Sequence, residues 1–124
     1  MNKTNGQILV TLLFFVVIAI IITSGAVVVI LTNSLSASKF AQGNVAYYIA
    51  ESGIENALLR LLRNPSYNGE TLAIEDATAL ITVSGDNPKT ITSVGSIGNF
   101  SRTIEVIADY TDNILTVTSW KEIY

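Results

Sequence analysis

Residues 4–38 read TNGQILVTLLFFVVIAIIITSGAVVVILTNSLSAS, an uncharged run bounded by Lys3 and Lys39. Within it, Ile8 to Leu31 is aliphatic or aromatic at every position except Thr11, Thr23, Ser24 and Gly25. That stretch exceeds the about 20 apolar residues needed to cross the hydrocarbon core of a bilayer. In lipid the backbone must satisfy its own hydrogen bonds, so a single segment crosses as a helix. One membrane-spanning helix over residues 7–32 is therefore expected, with residues 1–6 ahead of it. A secretory signal peptide shares the leading cation and the apolar stretch, but its apolar core is only about 7 to 15 residues long. Ser34-Leu35-Ser36 is the small-residue sequence that such processing would use. Lys3 is the only charge ahead of Lys39. The excess of positive charge on cytoplasmic flanks then places the N-terminus inside and the bulk of the chain outside.

Working outward, the span is not followed by a Gly/Pro-rich linker. Thr32, Asn33, Ser34, Ser36 and Ser38 lead directly into Phe40, Gly43, Tyr47, Ala50, Ile54, Ala57 and Leu61, whose alternating spacing of three and four places them on one stripe of a helix. Leu58 and Leu62 widen the stripe. Lys39, Gln42, Glu51, Ser52, Glu55, Asn56, Arg60 and Arg63 fall largely on other faces, so residues 33–64 read as an amphipathic continuation of the same helix. Arg60 and Arg63 suit the negative end of the helix dipole, and Asn64-Pro65 supplies a stop. Small residues at Gly43, Ala50 and Ala57 alternate with large ones, which would let a sheet lie close. A parallel coiled-coil seam is the competing use of the stripe, but it spans only about three heptads and lacks regular flanking charge pairs. Gly25, Gly43 and Gly53 each cost about 1 kcal/mol relative to alanine inside a helix, and Gly25 and Gly43 are candidate points of bending or close approach.

From Glu70 the period changes to two. Leu72 and Ile74, then Ala79, Ile81 and Val83, then Thr90 to Ile97, then Phe100 to Ala108, then Ile114 to Trp120 read as short strands. Gly85-Asp86-Asn87-Pro88, Gly98-Asn99 and Asp112-Asn113 separate the later ones as turns. Such short connections require antiparallel pairing. The expected fold is α+β: one long N-terminal helix, membrane-spanning in its first half, packed through its second half on an antiparallel sheet of about four to five strands over residues 65–124. Ile104, Val106 and Ala108 should face the helix. Thr90, Thr92, Thr116 and Thr118 suit the wetter face, with Trp120 closing an edge.

Composition removes several function classes. The chain has no cysteine and no histidine, which excludes disulfides, thiolate metal sites and Cys-His or Ser-His catalysis. Nothing groups the remaining chemistry into an enzyme site, and no catalytic residue, cofactor or metal is assigned. Seven basic and ten acidic residues give a net charge of −3 without a basic patch, so nucleic acid is not an expected partner. Asp86-Asn87 and Asp109, Asp112 and Asn113 are oxygen-rich turns, but their spacing matches no EF-hand loop and solvated turn residues are the simpler reading. Loop 64–69 is rich enough in polar groups to serve adhesion.

Taken together, Lys3 with Gly6-Gln7, the apolar run, the amphipathic continuation and the small sheet resemble a type IV pilin-like protein. The segment Ala50-Glu51-Ser52-Gly53-Ile54-Glu55-Asn56-Ala57-Leu58 is similar to the Ala-Glu-x-Gly pattern of PilX-type minor pilins and tip pseudopilins. The resemblance covers about residues 1–62. It implies cleavage after Gly6 by a prepilin peptidase, a methylated Gln7 as the new N-terminus, and exchange of membrane lipid for other pilin-like subunits in a filament. Two positions depart from the family: Gln7 stands where many pilins have Phe or Met, and Thr11 where most have a Glu that neutralises a neighbouring N-terminal amine. The missing acid favours a minor or tip-type subunit over a major one. Processing then falls on Gly6 and Gln7, and assembly on Thr11, Glu51, Gly53 and Glu55. The alternative is a single-span anchored extracytoplasmic binding module that does not assemble.

Overall fold

The computed structural model describes residues 4–124, with side chains from Gly6 onward; Lys3 and the first half of the expected leader lie outside the described residues. The element order is α1 (Thr4–Arg63), β1 (Gly69–Ile74), β2 (Ala77–Ser84), β3 (Lys89–Ile97), β4 (Phe100–Thr111) and β5 (Ile114–Ile123). This is the expected α+β layout, with five strands in one sheet ordered β1-β2-β3-β4-β5 and every neighbouring pair antiparallel. By internal packing the chain divides between Lys39 and Phe40 into two compact units.

In the first unit α1 is long and apolar enough to cross a membrane, and none of its most apolar window is buried by the protein. Ile8, Leu9, Val10 and Phe15, which point to different sides of the helix, are each about two-thirds or more exposed, so apolar side chains cover it all round, as a lipid-facing helix requires. Three threonine hydroxyls in the run are satisfied within the helix. Thr11 Oγ1 donates to Gln7 O at 2.9 Å, Thr23 Oγ1 to Ala19 O at 2.7 Å and Thr32 Oγ1 to Val28 O at 3.0 Å. A hydroxyl already bonded to the carbonyl one turn back exposes no unmade donor, which lowers its cost in an apolar medium.

In the second unit the sheet is a meander in which Glu75-Asp76, Gly98-Asn99 and Asp112-Asn113 are two-residue connections. Asp112 and Asn113 both take positive φ, 55° and 62°, the backbone that matches the right-handed strand twist in a tight hairpin. Glu75 does so at 52° although neither Gly nor Asn occupies the site, so no local turn signal marks this connection in the sequence. Asn87 closes the β2–β3 connection by accepting the Tyr110 backbone N–H at 2.9 Å. Strand parity separates the faces. Ala77, Ala79, Ile81, Ile91, Ser93, Gly95, Ile104, Val106 and Ala108 are buried on the helix side, while Thr90 and Thr92 lie on the other. A register shift at Ile107/Ala108 reverses the parity of β5, so that Val117 faces Ala108 and Trp120 faces Val106.

The buried residues of the helix are Gly43, Ala46, Ala50, Gly53, Ile54, Ala57 and Leu61. Their centre is shifted from the expected stripe. Ala46 and Gly53 join it, whereas Phe40 is 73% exposed and Leu62 51%, which corrects their assignment to the core. Trp120 likewise remains 40% exposed on the edge strand. Proximity explains the shift. A Cβ on Gly95 would collide with the backbone of Ala46 and Ala50, and one on Gly53 would collide with Ser93 Oγ and lie 3.1 Å from Ala79 Cβ. A sheet this close admits only small side chains along the line of contact and displaces large ones to its sides. Tyr47 and Leu58 are partly buried flanks, and Ile54, Leu61, Ile81, Ile91, Ile104 and Val106 fill the wider part of the core.

Ser93 is the one buried polar side chain among the described residues, and its Oγ has no hydrogen-bond partner there. A buried hydroxyl without a bond carries a desolvation penalty of about 1–3 kcal/mol. Ser93→Ala removes that penalty and keeps the Cβ. The midpoint of chemical denaturation is expected to rise by the equivalent of about 1 kcal/mol; a fall would show that the hydroxyl is bonded in solution.

Candidate functional site

The expected site residues lie on two parts of α1, one in each unit. Gly6, Gln7 and Thr11 are exposed in its opening turns, and the space around Gly6 is open within 4 Å. Thr11 spends its hydroxyl on Gln7 O, so it offers a neighbour an apolar methyl rather than a charge. In the second unit Glu51 is half-buried, Glu55 exposed and Gly53 fully turned into the sheet. The two carboxylates stand one turn apart on the outer side of the helix, while Gly53 is accounted for by its approach to Ser93. Glu51 is thus partly covered although it lies off the buried stripe. The structure brings Glu51 and Glu55 together and separates them from Gly53.

A second cluster forms where the helix ends. Asn56, Leu59, Arg60, Arg63, Asn64 and Tyr67 line an open cleft of about 450 Å³. The local sequence builds it in steps. Asn64 N donates to Arg60 O at 2.8 Å and Tyr67 N to Asn64 O at 3.0 Å, so the chain turns back at once after the last helical turn. Asn64 Oδ1 accepts the Ser66 N–H at 3.0 Å, the short polar closure expected ahead of a turn. That turn lays the Tyr67 ring under Arg60, whose guanidinium carbon is 5.9 Å from the ring centroid. Arg60 Nε is 2.8 Å from Glu70 Oε1 and 3.3 Å from Asn56 Oδ1. Tyr67 donates its hydroxyl to the same Glu70 oxygen at 3.1 Å. By sequence alone Arg60 and Arg63 are partners of the helix dipole and nothing more. An arginine pair followed within one turn by Asn-Pro and then an aromatic was the signal that could have found the cleft.

Burial, then the hydrogen bond to Glu70 and its negative charge, push the Tyr67 phenol up to about 12, against a smaller opposing pull from Arg60. The unfolded phenol titrates near 10, so the folded state favours the protonated form. Its contribution to stability is complete below about pH 10 and is lost as the pH rises to about 12. Tyr67→Phe should abolish this part of the alkaline destabilisation. The difference in phenolate absorbance between the two proteins should titrate close to pH 12; a difference titrating at 10 would refute the burial of the phenol against Glu70.

Among the described residues no three acidic side chains gather as a metal-holding group at the oxygen-rich turns. Tyr110 Oη instead reaches Asn113 Oδ1 at 3.4 Å. No protein-family model matches the chain, and it matches no curated protein and no solved structure.

Proposed function

We propose that this chain is a structural subunit, of minor or tip type, of a type IV pilus or related pilin-like filament. The observation that carries the reading is α1 itself. One helix from Thr4 to Arg63 carries an exposed apolar segment in its first half and ends as the buried spine of an antiparallel sheet. An anchor that merely tethers a domain can be joined to it by any flexible linker. A helix shared by lipid-type surface and protein core suits a subunit whose apolar half leaves the bilayer to pack among like helices.

Under this reading a prepilin peptidase cuts after Gly6 on the cytoplasmic side, and Gln7 becomes the N-terminus. The sheet domain lies outside the membrane before assembly and on a cell-surface filament afterwards. Co-expression with a prepilin peptidase followed by mass spectrometry of the N-terminus tests it: cleavage after Gly6 is expected, and an intact Met1 or a cut near Ser36 would sink the proposal. The second reading, an anchored module that recognises a partner without assembling, draws on the cleft at the end of α1 and predicts an uncut leader.

A further inference from the structure

The cleft at the end of α1 has the parts of a binding site that no filament role requires. Arg60 meets Glu70 and Asn56 through Nε alone, and among the described residues its two terminal nitrogens have no partner. The Glu70 carboxylate beside Nε and the Tyr67 ring restrain the guanidinium while leaving free the end-on fork, which is the geometry that receives an oxyanion in two parallel bonds. Arg63 stands one turn further on and has no ion-pair partner among the described residues. With Glu70 counted, the cleft carries a net positive charge in a chain of net charge −3. The negative end of the helix dipole opposes an anion here, but Asn64 N already occupies the Arg60 carbonyl, and the two guanidinium groups outweigh what remains.

The other lining groups narrow the ligand. Asn64 uses its side-chain oxygen on Ser66, and Asn56 uses its own on Arg60, so both amide NH2 groups are left to donate. Leu59, 63% exposed, supplies an apolar wall. Fixed guanidinium, amide donors and an apolar wall in a shallow open cleft match a carboxylate carried on a hydroxyl-rich ring. We infer that this cleft binds the hexuronate units of an acidic polysaccharide, with Arg60 and Arg63 on the carboxylate and Asn56 and Asn64 on ring hydroxyls. This inference does not depend on assembly into a filament.

The test uses the full chain in phosphatidylcholine nanodiscs and isothermal titration with tetragalacturonate, with the neutral maltotetraose and with sodium sulfate at matched ionic strength. Saturable binding of tetragalacturonate alone is expected, weakened about tenfold or more by Arg63→Gln and less by Arg63→Lys, which keeps the charge and loses the fork. Lys89→Gln, on β3 and outside the cleft, should leave it unchanged. Absence of binding, equal binding of sulfate, equal binding of maltotetraose, or an Arg63→Gln affinity equal to the parent would each overturn the inference. Because the readout is taken on dispersed protein, its failure leaves the cleavage result untouched, and the converse holds.

Discussion

Gly95→Ala is expected to lower the stability of the sheet domain by about 3 kcal/mol, the upper end of what an overpacked methyl group costs. The added Cβ would collide with Ala46 O and Ala50 N and sit 3.0 Å from Ala50 Cα. All three atoms belong to the helix backbone, so no side chain can swing aside. Either the helix must lift from β3, opening the core lined by Ile54, Ile91 and Ile104, or the strand must bend within a ladder paired on both sides. For a domain of this size, about 3 kcal/mol corresponds to a fall in Tm of roughly 12–24 °C. Circular dichroism of the thermal transition measures it. Gly25→Ala is the control, because nothing lies within 4 Å of the position a Cβ would take there. A Gly95→Ala transition within a few degrees of the parent would mean that helix and sheet are further apart in solution.

Thr11→Glu has the largest effect expected on assembly. In the proposed filament the cleaved N-terminal amine of Gln7 is buried among apolar helices, where an unpaired charge costs several kcal/mol. Thr11 does not relieve that cost, since its hydroxyl is committed to the helix and carries no charge. A glutamate there would pair with the amine of a neighbouring subunit. Before assembly the same glutamate stays near the end of the apolar run, where the penalty falls below the about 2.5–3.5 kcal/mol of an acidic group at mid-bilayer. The balance favours assembly, and the fraction of the variant in sheared filaments should rise about tenfold, equivalent to about 1.4 kcal/mol. Quantitative immunoblotting of sheared and cell-bound material reads this directly. Unchanged incorporation would remove Thr11 from the argument for a minor subunit.

Much of the architecture was legible because its signals are local. The apolar run fixes a helix by length alone, Asn64-Pro65 ends it, and period-two alternation with Gly98-Asn99 and Asp112-Asn113 sets the later strands and their antiparallel pairing. The β1–β2 hairpin was harder to see, because Glu75 turns the chain without the usual glycine or asparagine. The stripe was placed on roughly the correct side of the helix but weighted toward large residues. Phe40 shows why that fails: apolar periodicity reports what a helix could bury, and no partner in the sheet reaches it. The cleft was missed for a related reason. Its Arg60–Glu70 pair joins the last helical turn to the first strand, a closure that spacing along the helix does not reveal.

The sequence by itself determined the lipid-type helix, its point of termination and the count and direction of the later strands, because each follows from the backbone hydrogen bonds and side-chain periods of neighbouring residues. Only the tertiary structure decided how near the sheet approaches the helix. That distance makes Gly53 and Gly95 necessary and strands the hydroxyl of Ser93 without a partner. It depends on which residue of β3 meets which turn of α1, a matching of distant segments that no local pattern encodes.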